Sequence, residues 1–295
     1  MKLKPLFGDF GLIYCAIIWG STFFIMKDAL NSINPFALVA YRFIFAALLL
    51  GIIAIYLKKP LFKNFRQGAS LGVLLTILYL SQVIGLQFTT ASNSGFITGL
   101  FIIFVPLFGL LLFHNTPTKK RIVAIVLSII GLWLLTGGMT QMNLGDVLTL
   151  AAAVTYGLHI LFTGKFVKKI DAYTLTFQQF LVVGVLALVL AIIFNQPLTV
   201  APSVQGAVIF LILFPTLLAY LIQTVAQKHA SAVKVALIFA LEPVSAAIFA
   251  WTLGGELFIP IHALGGLLIV AGIVISELPE TKNSNTKKAG KLLAK

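Results

Sequence analysis

AVKVALIFALEPVSAAIFAWT, residues 232–252, decides how this chain is read. About 20 apolar residues rising 1.5 Å each span the hydrocarbon core of a bilayer, so the stretch reads as a membrane-crossing helix. Near its middle stands Glu242, followed at once by Pro243. A carboxylate at that depth is costly unless it is protonated, hydrated or paired. Pro243 lacks a backbone donor and crowds the carbonyl four residues back, so the helix is expected to kink there. A polar kink at mid-membrane serves a solute pathway and serves a passive anchor poorly.

The rest of the chain has the same character. Of its 295 residues 60% are hydrophobic and 10% charged, and the mean hydropathy is +1.06, outside the range of soluble domains. The first apolar stretch runs on without a small-residue cleavage site and reads as a retained signal anchor. The formal net charge of +13 would suit nucleic acid, but the basic residues fall in short clusters between apolar stretches, and no nucleic-acid partner is expected. A lone cysteine, Cys15, excludes a disulfide framework and a multi-cysteine metal site.

Ten apolar segments can be marked off: 10–26, 36–57, 68–88, 94–113, 122–138, 147–164, 172–194, 203–227, 235–254 and 257–276. With short linkers between them, all the basic residues except Lys27 and Arg42 fall on one side of the membrane. That side is the cytoplasm by the excess of Lys and Arg in cytoplasmic loops, so both termini are expected there. Residues 278–295 form a basic tail without an apolar face, expected to be disordered and in reach of anionic lipid.

An internal repeat runs through these segments. A shift of 137 residues lays Gly8-Asp9 on Gly145-Asp146, Trp19-Gly20 on Tyr156-Gly157, Pro35–Phe43 on Ala172–Phe180, and Pro106 on Pro243. Slightly longer shifts match Tyr79 and Gln82 with Tyr220 and Gln223, and Ala91-Ser92 with Ala230-Ser231. Each half then holds five helices, an odd number, so the halves must insert in opposite orientations. Inverted repeats of this kind mark secondary transporters, with the solute site at mid-membrane between the halves.

The intramembrane polar residues are the site candidates. Glu242 either titrates or contacts solute, or it satisfies backbone groups freed by Pro243; its repeat mate is Val105, beside Pro106. Arg42 either snorkels to the outer interface or faces the cavity, drawing an anionic group or pairing with Glu242. Tyr79 with Gln82 and Tyr220 with Gln223 each share a helix face, suited to lining a cavity or to interhelical hydrogen bonds. Trp19 and Tyr156 match across the repeat, as packing or cavity walls. His159, well inside a helix, cannot hold a metal alone but could relay a proton. Gly95 and Gly99 read as a close-packing step. No phosphate-binding loop and no nucleophile–base spacing is present, which argues against a nucleotide-driven pump and a membrane hydrolase.

Taken together, Ile18–Phe23 with its Trp-Gly step, Arg42-Phe43, Ala91-Ser92, Leu241-Glu242-Pro243 and Gly255-Glu256 resemble the EamA-like branch of the drug/metabolite transporter superfamily, across about residues 8–277. The resemblance implies ten transmembrane helices in two inverted five-helix repeats, 8–139 and 144–277. Helices one to four and six to nine would surround a central cavity. It further implies export or exchange of a small metabolite across the inner membrane by alternating access, with lipid and solute as partners and no cofactor. An amino acid or related partly apolar solute is the expected cargo. A broad-specificity drug exporter and, from another class, a membrane-embedded enzyme are the alternatives, and a homodimer stays open. Since Glu-Pro in helix nine is shared by members with different solutes, the resemblance tilts Glu242 toward gating or architecture, and Glu242, Pro243, Pro106 and Arg42 are the candidates for gating or proton coupling.

Overall fold

The computed structural model describes residues 3–136, 142–253 and 257–277, and all regular structure among them is helical. The basic tail and the Gly255-Glu256 pair lie outside the described residues. Helices α1 (Leu3–Ala29), α2 (Pro35–Tyr56) and α3 (Phe65–Phe88) are followed by α4 (Ala91–Gly99) and α5 (Phe101–Phe113), two halves of one broken crossing. Next come α6 (Lys119–Thr136), α7 (Leu144–Phe166) and α8 (Ala172–Ile193). A further crossing joins a 3-10 turn (Pro202–Val204), α9 (Gln205–Leu211), a π-helical segment (Ile212–Leu218) and α10 (Ala219–Gln227). Another broken crossing, α11 (Ala232–Phe239) with α12 (Leu241–Thr252), precedes α13 (Pro260–Glu277).

Eight of these crossings are long and apolar enough to span a membrane, and Pro260–Ser276 is a shorter apolar helix. The remaining helix, α6, opens on Lys119, Lys120 and Arg121 and is apolar beyond them. Outward faces are apolar too: Leu48, Ile52 and Ile55 of α2 and Ile192 and Ile193 of α8 are exposed, as suits side chains whose solvent is hydrocarbon.

Local chemistry sets the helix starts. Asn34 caps α2 by accepting from the Phe36 amide, with Pro35 at the first helical position, where its missing N–H costs nothing. Asn143 and Asp146 exchange side-chain and backbone bonds at the start of α7, a capping box. Thr90 and Ser231 cap α4 and α11, at matching places in the two halves.

The two broken crossings also match. Leu100 ends α4 with φ −64°, ψ −9°, and Ala240 ends α11 with φ −62°, ψ −9°. The kink expected at Pro243 is instead a break three residues earlier. Leu241 and Glu242 start a new helix with Pro243 in its first turn, where backbone N–H groups have no partner within the helix. Pro106 likewise lies inside α5, six residues beyond its own break.

Among the packed pairs, α2 lies on α8, α6 on α13, α3 on α7 and α1 on α10, while α1 meets α11 and α12 and α7 meets α4 and α5. Exchanging the first and second halves of the chain turns this set of pairs into itself. Close backbone approach is built in at Gly20, where a Cβ would stand 2.6 Å from the Glu242 carbonyl.

Candidate translocation site between the halves

The sequence candidates converge from different crossings. Trp19 of α1 stacks obliquely on Tyr220 of α10, with centroids 5.1 Å apart, and meets Phe239 of α11 edge-on at 5.0 Å. Tyr156 of α7 joins Trp19, Phe101 and Phe239. Tyr220 donates a hydrogen bond of 3.0 Å to the Tyr79 hydroxyl, which ties α10 to α3. His159 of α7 stands edge-on to Tyr220, and its Nε2 lies 2.7 Å from Gln179 Oε1 on α8. All of these side chains are buried.

The glutamines are placed differently. Gln82 donates to Thr98 of α4 at 3.0 Å, and Gln223 donates to Gln227 at 3.0 Å, which in turn donates to the Ile160 carbonyl of α7. Interhelical bonding therefore engages Gln82 directly and Gln223 through Gln227. Several polar atoms of this layer meet no hydrogen-bond partner: Gln223 Oε1, Gln179 Nε2, His159 Nδ1 and Glu242 Oε2.

Arg42 does not reach the outer interface. It is 1% exposed, with its guanidinium carbon 4.7 Å from the Tyr79 ring centre. Nε donates to Thr216 Oγ1, Nη2 to Tyr79 OH at 3.2 Å and Nη1 to the Met26 thioether at 3.4 Å. Glu242 does not pair with it. The ion pairs Lys59–Asp171 and Lys234–Asp9 lie elsewhere, and no carboxylate among the described residues pairs with Arg42.

The π-helical segment explains part of this arrangement. Pro215 interrupts the hydrogen-bond ladder, and Thr216 Oγ1 donates to the Leu211 carbonyl at 2.7 Å. Trp19 Nε1 donates to the Pro215 carbonyl at 2.7 Å. Side chains thus satisfy backbone groups that the widened turn leaves open, as a bilayer requires. Thr216, Gln179, Phe43, Phe101, Phe180 and Phe239 bond or pack within this layer and are not among the sequence candidates. Phe43 and Phe180 had a signal, since they coincide in the repeat alignment.

The two ends of the bundle differ. At the end away from the basic clusters, a Cβ on Gly85 of α3 would stand 2.8 Å from the Gly145 carbonyl of α7. Asp146 is fully buried there and accepts from Thr89 Oγ1 at 2.6 Å. Lys27 Nζ donates to the Leu86 and Thr89 carbonyls at the end of α3, which accounts for a lysine on that side. The related pair at the basic end, α1 and α10, borders a cavity of about 860 Å³ lined by Asp9, Gly11, Ile222, Ala226, Ser231 and Lys234 among others. The Lys234–Asp9 ion pair, 3.0 Å long and partly exposed, spans from α11 to α1 there.

Comparison with known proteins places these features. Residues 6–137 and 143–278 each match the model described as the EamA-like transporter family. An uncharacterized transporter of Archaeoglobus fulgidus is 29% identical over 278 residues, covering 94% of this chain and 87% of the relative. The uncharacterized inner membrane transporter YedA of Escherichia coli K12 is 28% identical over 291 residues, covering 94% and 92%. YyaM of Bacillus subtilis, also named an uncharacterized transporter, is 24% identical over 278 residues, covering 89% and 91%. One solved crystal structure superposes with a TM-score of 0.78 at 15% identity, over 94% of this chain and 98% of the other.

Proposed function

Because this chain belongs to the EamA-like transporter family, we propose that it is a secondary transporter that exports or exchanges a small, partly apolar metabolite by alternating access. An amino acid or a related solute suits the layer of Trp19, Tyr79, Tyr156, Tyr220 and His159, which mixes aromatic walls with hydrogen-bonding groups. The observation that carries the reading is the difference between two related helix pairs. The α3–α7 seam is shut by backbone contact at Gly85 and Gly145, while the α1–α10 seam, packed through Gly11 against the Ile222 side chain, borders a cavity at the basic end. Two halves that can exchange these conformations would open the central layer to each side in turn.

The layout that goes with this reading has ten crossings in two inverted five-helix repeats, 8–139 and 144–277. Support comes from the double match to the family model and from helix pairs that map onto one another when the halves are exchanged. The excess of Lys and Arg at one end supports a reading in which both termini and this cavity lie on the cytoplasmic side. Four buried polar atoms without partners also favour a solute-facing layer, since each costs about 1–3 kcal/mol when left unsatisfied. The mechanism needs no nucleotide, metal or catalytic group.

Flux measurement in proteoliposomes tests the proposal. Purified protein is expected to exchange a labelled solute against an unlabelled excess of the same solute without ATP. Failure to move any solute of a panel spanning amino acids, organic acids, amines and neutral drugs would overturn it.

A further inference from the structure

Arg42 is a full positive charge inside a membrane protein, and no carboxylate among the described residues forms an ion pair with it. Charges buried in this way are ordinarily paired, because hydrocarbon solvates them poorly. Here the guanidinium makes three contacts: a threonine hydroxyl, a phenol and a thioether. The thioether is a weak acceptor, and none of the three carries charge. Tyr79 OH already accepts from Arg42 and from Tyr220, so its own hydrogen is left to donate. Cation and phenols therefore form a cluster rich in donors with no carboxylate in hydrogen-bond contact, Glu242 acting on the phenols only from farther off, at the point where side chains of α2, α3 and α10 meet.

Resting on the transport reading above, we infer that Arg42, Tyr79 and Tyr220 form the subsite that receives a carboxylate group of the solute. Nη1 and Nη2 present the two parallel donors that a carboxylate takes in bidentate fashion. Nη1 would give up its bond to Met26 Sδ and Nη2 its bond to Tyr79. Nε keeps its bond to Thr216, which holds the guanidinium plane in place.

Charge and surroundings narrow the class further. One guanidinium suits a monoanion, and a doubly charged phosphate would call for a second cation that this layer does not supply. Phe43, Phe180 and Trp19 surround Tyr220, so the remainder of the solute is apolar or aromatic. The solute class is a monocarboxylate with an apolar body, which includes the larger neutral amino acids.

Thermal shift on the full-length protein in detergent tests the assignment. The probes are standard amino acids, aliphatic and aromatic monocarboxylates, and the primary amide of each. At least one carboxylate is expected to raise the melting temperature while its amide does not. Arg42→Gln is expected to weaken that carboxylate by about tenfold or more, as loss of a charge-assisted pair implies, with Arg42→Lys recovering part of it.

If Arg42→Gln does not fold, Tyr79→Phe and Tyr220→Phe decide, since each removes one hydroxyl and keeps the ring. Undiminished carboxylate affinity in Arg42→Gln, or in both phenylalanine variants, overturns the subsite. So does stabilisation by amides or amines alone, or by no carboxylate at all. Flux of a neutral solute in proteoliposomes would leave the transport reading standing while this one fell, whereas absence of any flux removes the transport reading itself.

Discussion

Glu242 enters α12 as its second residue, where the unpaired amides of a helix start favour negative charge by about 0.3–1 kcal/mol at exposed positions. The residue pattern leaves two roles open for it, in the solute pathway or in support of the break at Pro243. Ala240 already turns the chain, its amide shared between the Ala236 and Leu237 carbonyls, and Pro243 falls where it removes no helical bond. Oε2 meets no donor, so that oxygen takes no part in holding the break. The proton-coupling role proposed for Glu242 can be tested against support of the break by one substitution. Glu242→Gln is expected to change folding stability by less than about 1 kcal/mol, because the amide keeps the shape and loses only a weak helix-end term. Counterflow of solute should persist in proteoliposomes bearing that variant, while accumulation driven by an imposed pH gradient should disappear. Gradient-driven accumulation equal to wild type would remove Glu242 from the coupling role.

The crossing that contains Pro215 shows what element-level reading reaches and what it does not. Apolar length made each long crossing legible, because twenty apolar residues leave the backbone no alternative to a helix in a bilayer. Helix breaks were less legible. Leu100 carries no proline, and Pro243 drew attention to a position three residues past the real break at Ala240. Phe214-Pro215-Thr216 did carry a signal for the π-helical segment, yet its meaning depends on a threonine bond five residues back and on Trp19 from another helix. Such partners have no sequence spacing that announces them. Arg42 was ambiguous for a similar reason: a long side chain one or two turns from an interface can point either way, and the Thr216 hydroxyl in the π-helical segment decides it. Thr216→Val keeps the shape but leaves the Leu211 carbonyl and Arg42 Nε without this partner. It is expected to cost about 1–3 kcal/mol in a denaturation measurement in detergent, with Thr216→Ser recovering most of it. Equal stability of the valine variant would show that the segment does not depend on that hydroxyl.

At the scale of the whole molecule, the two related seams cannot both be open at once if one solute layer serves two compartments. The α3–α7 seam is held by groups that resist partial opening: glycine backbones in contact, a buried Asp146 and the Lys27 bonds to the end of α3. By contrast, the α1–α10 seam at the basic end is packed through Gly11 and the Ile222 side chain and borders a cavity, with the partly exposed Lys234–Asp9 pair joining α11 to α1 beside it. Single cysteines placed in a Cys15→Ala background read this difference directly, since Cys15 is the chain's only cysteine and is buried. Ala226→Cys, in the cavity wall, should react with an impermeant maleimide supplied from the cytoplasmic side of membrane vesicles. Thr149→Cys, fully buried against Gly85, should resist the reagent from both sides at rest. Asn195→Cys should react only from the outside, which also fixes the orientation that the basic clusters imply. During solute exchange the closed seam must open for part of each cycle, so Thr149→Cys labelling from outside should rise as Ala226→Cys labelling falls. Labelling of Ala226→Cys from the outside alone would reverse the topology. Rates at both cysteines that ignore solute would mean that the two seams do not alternate.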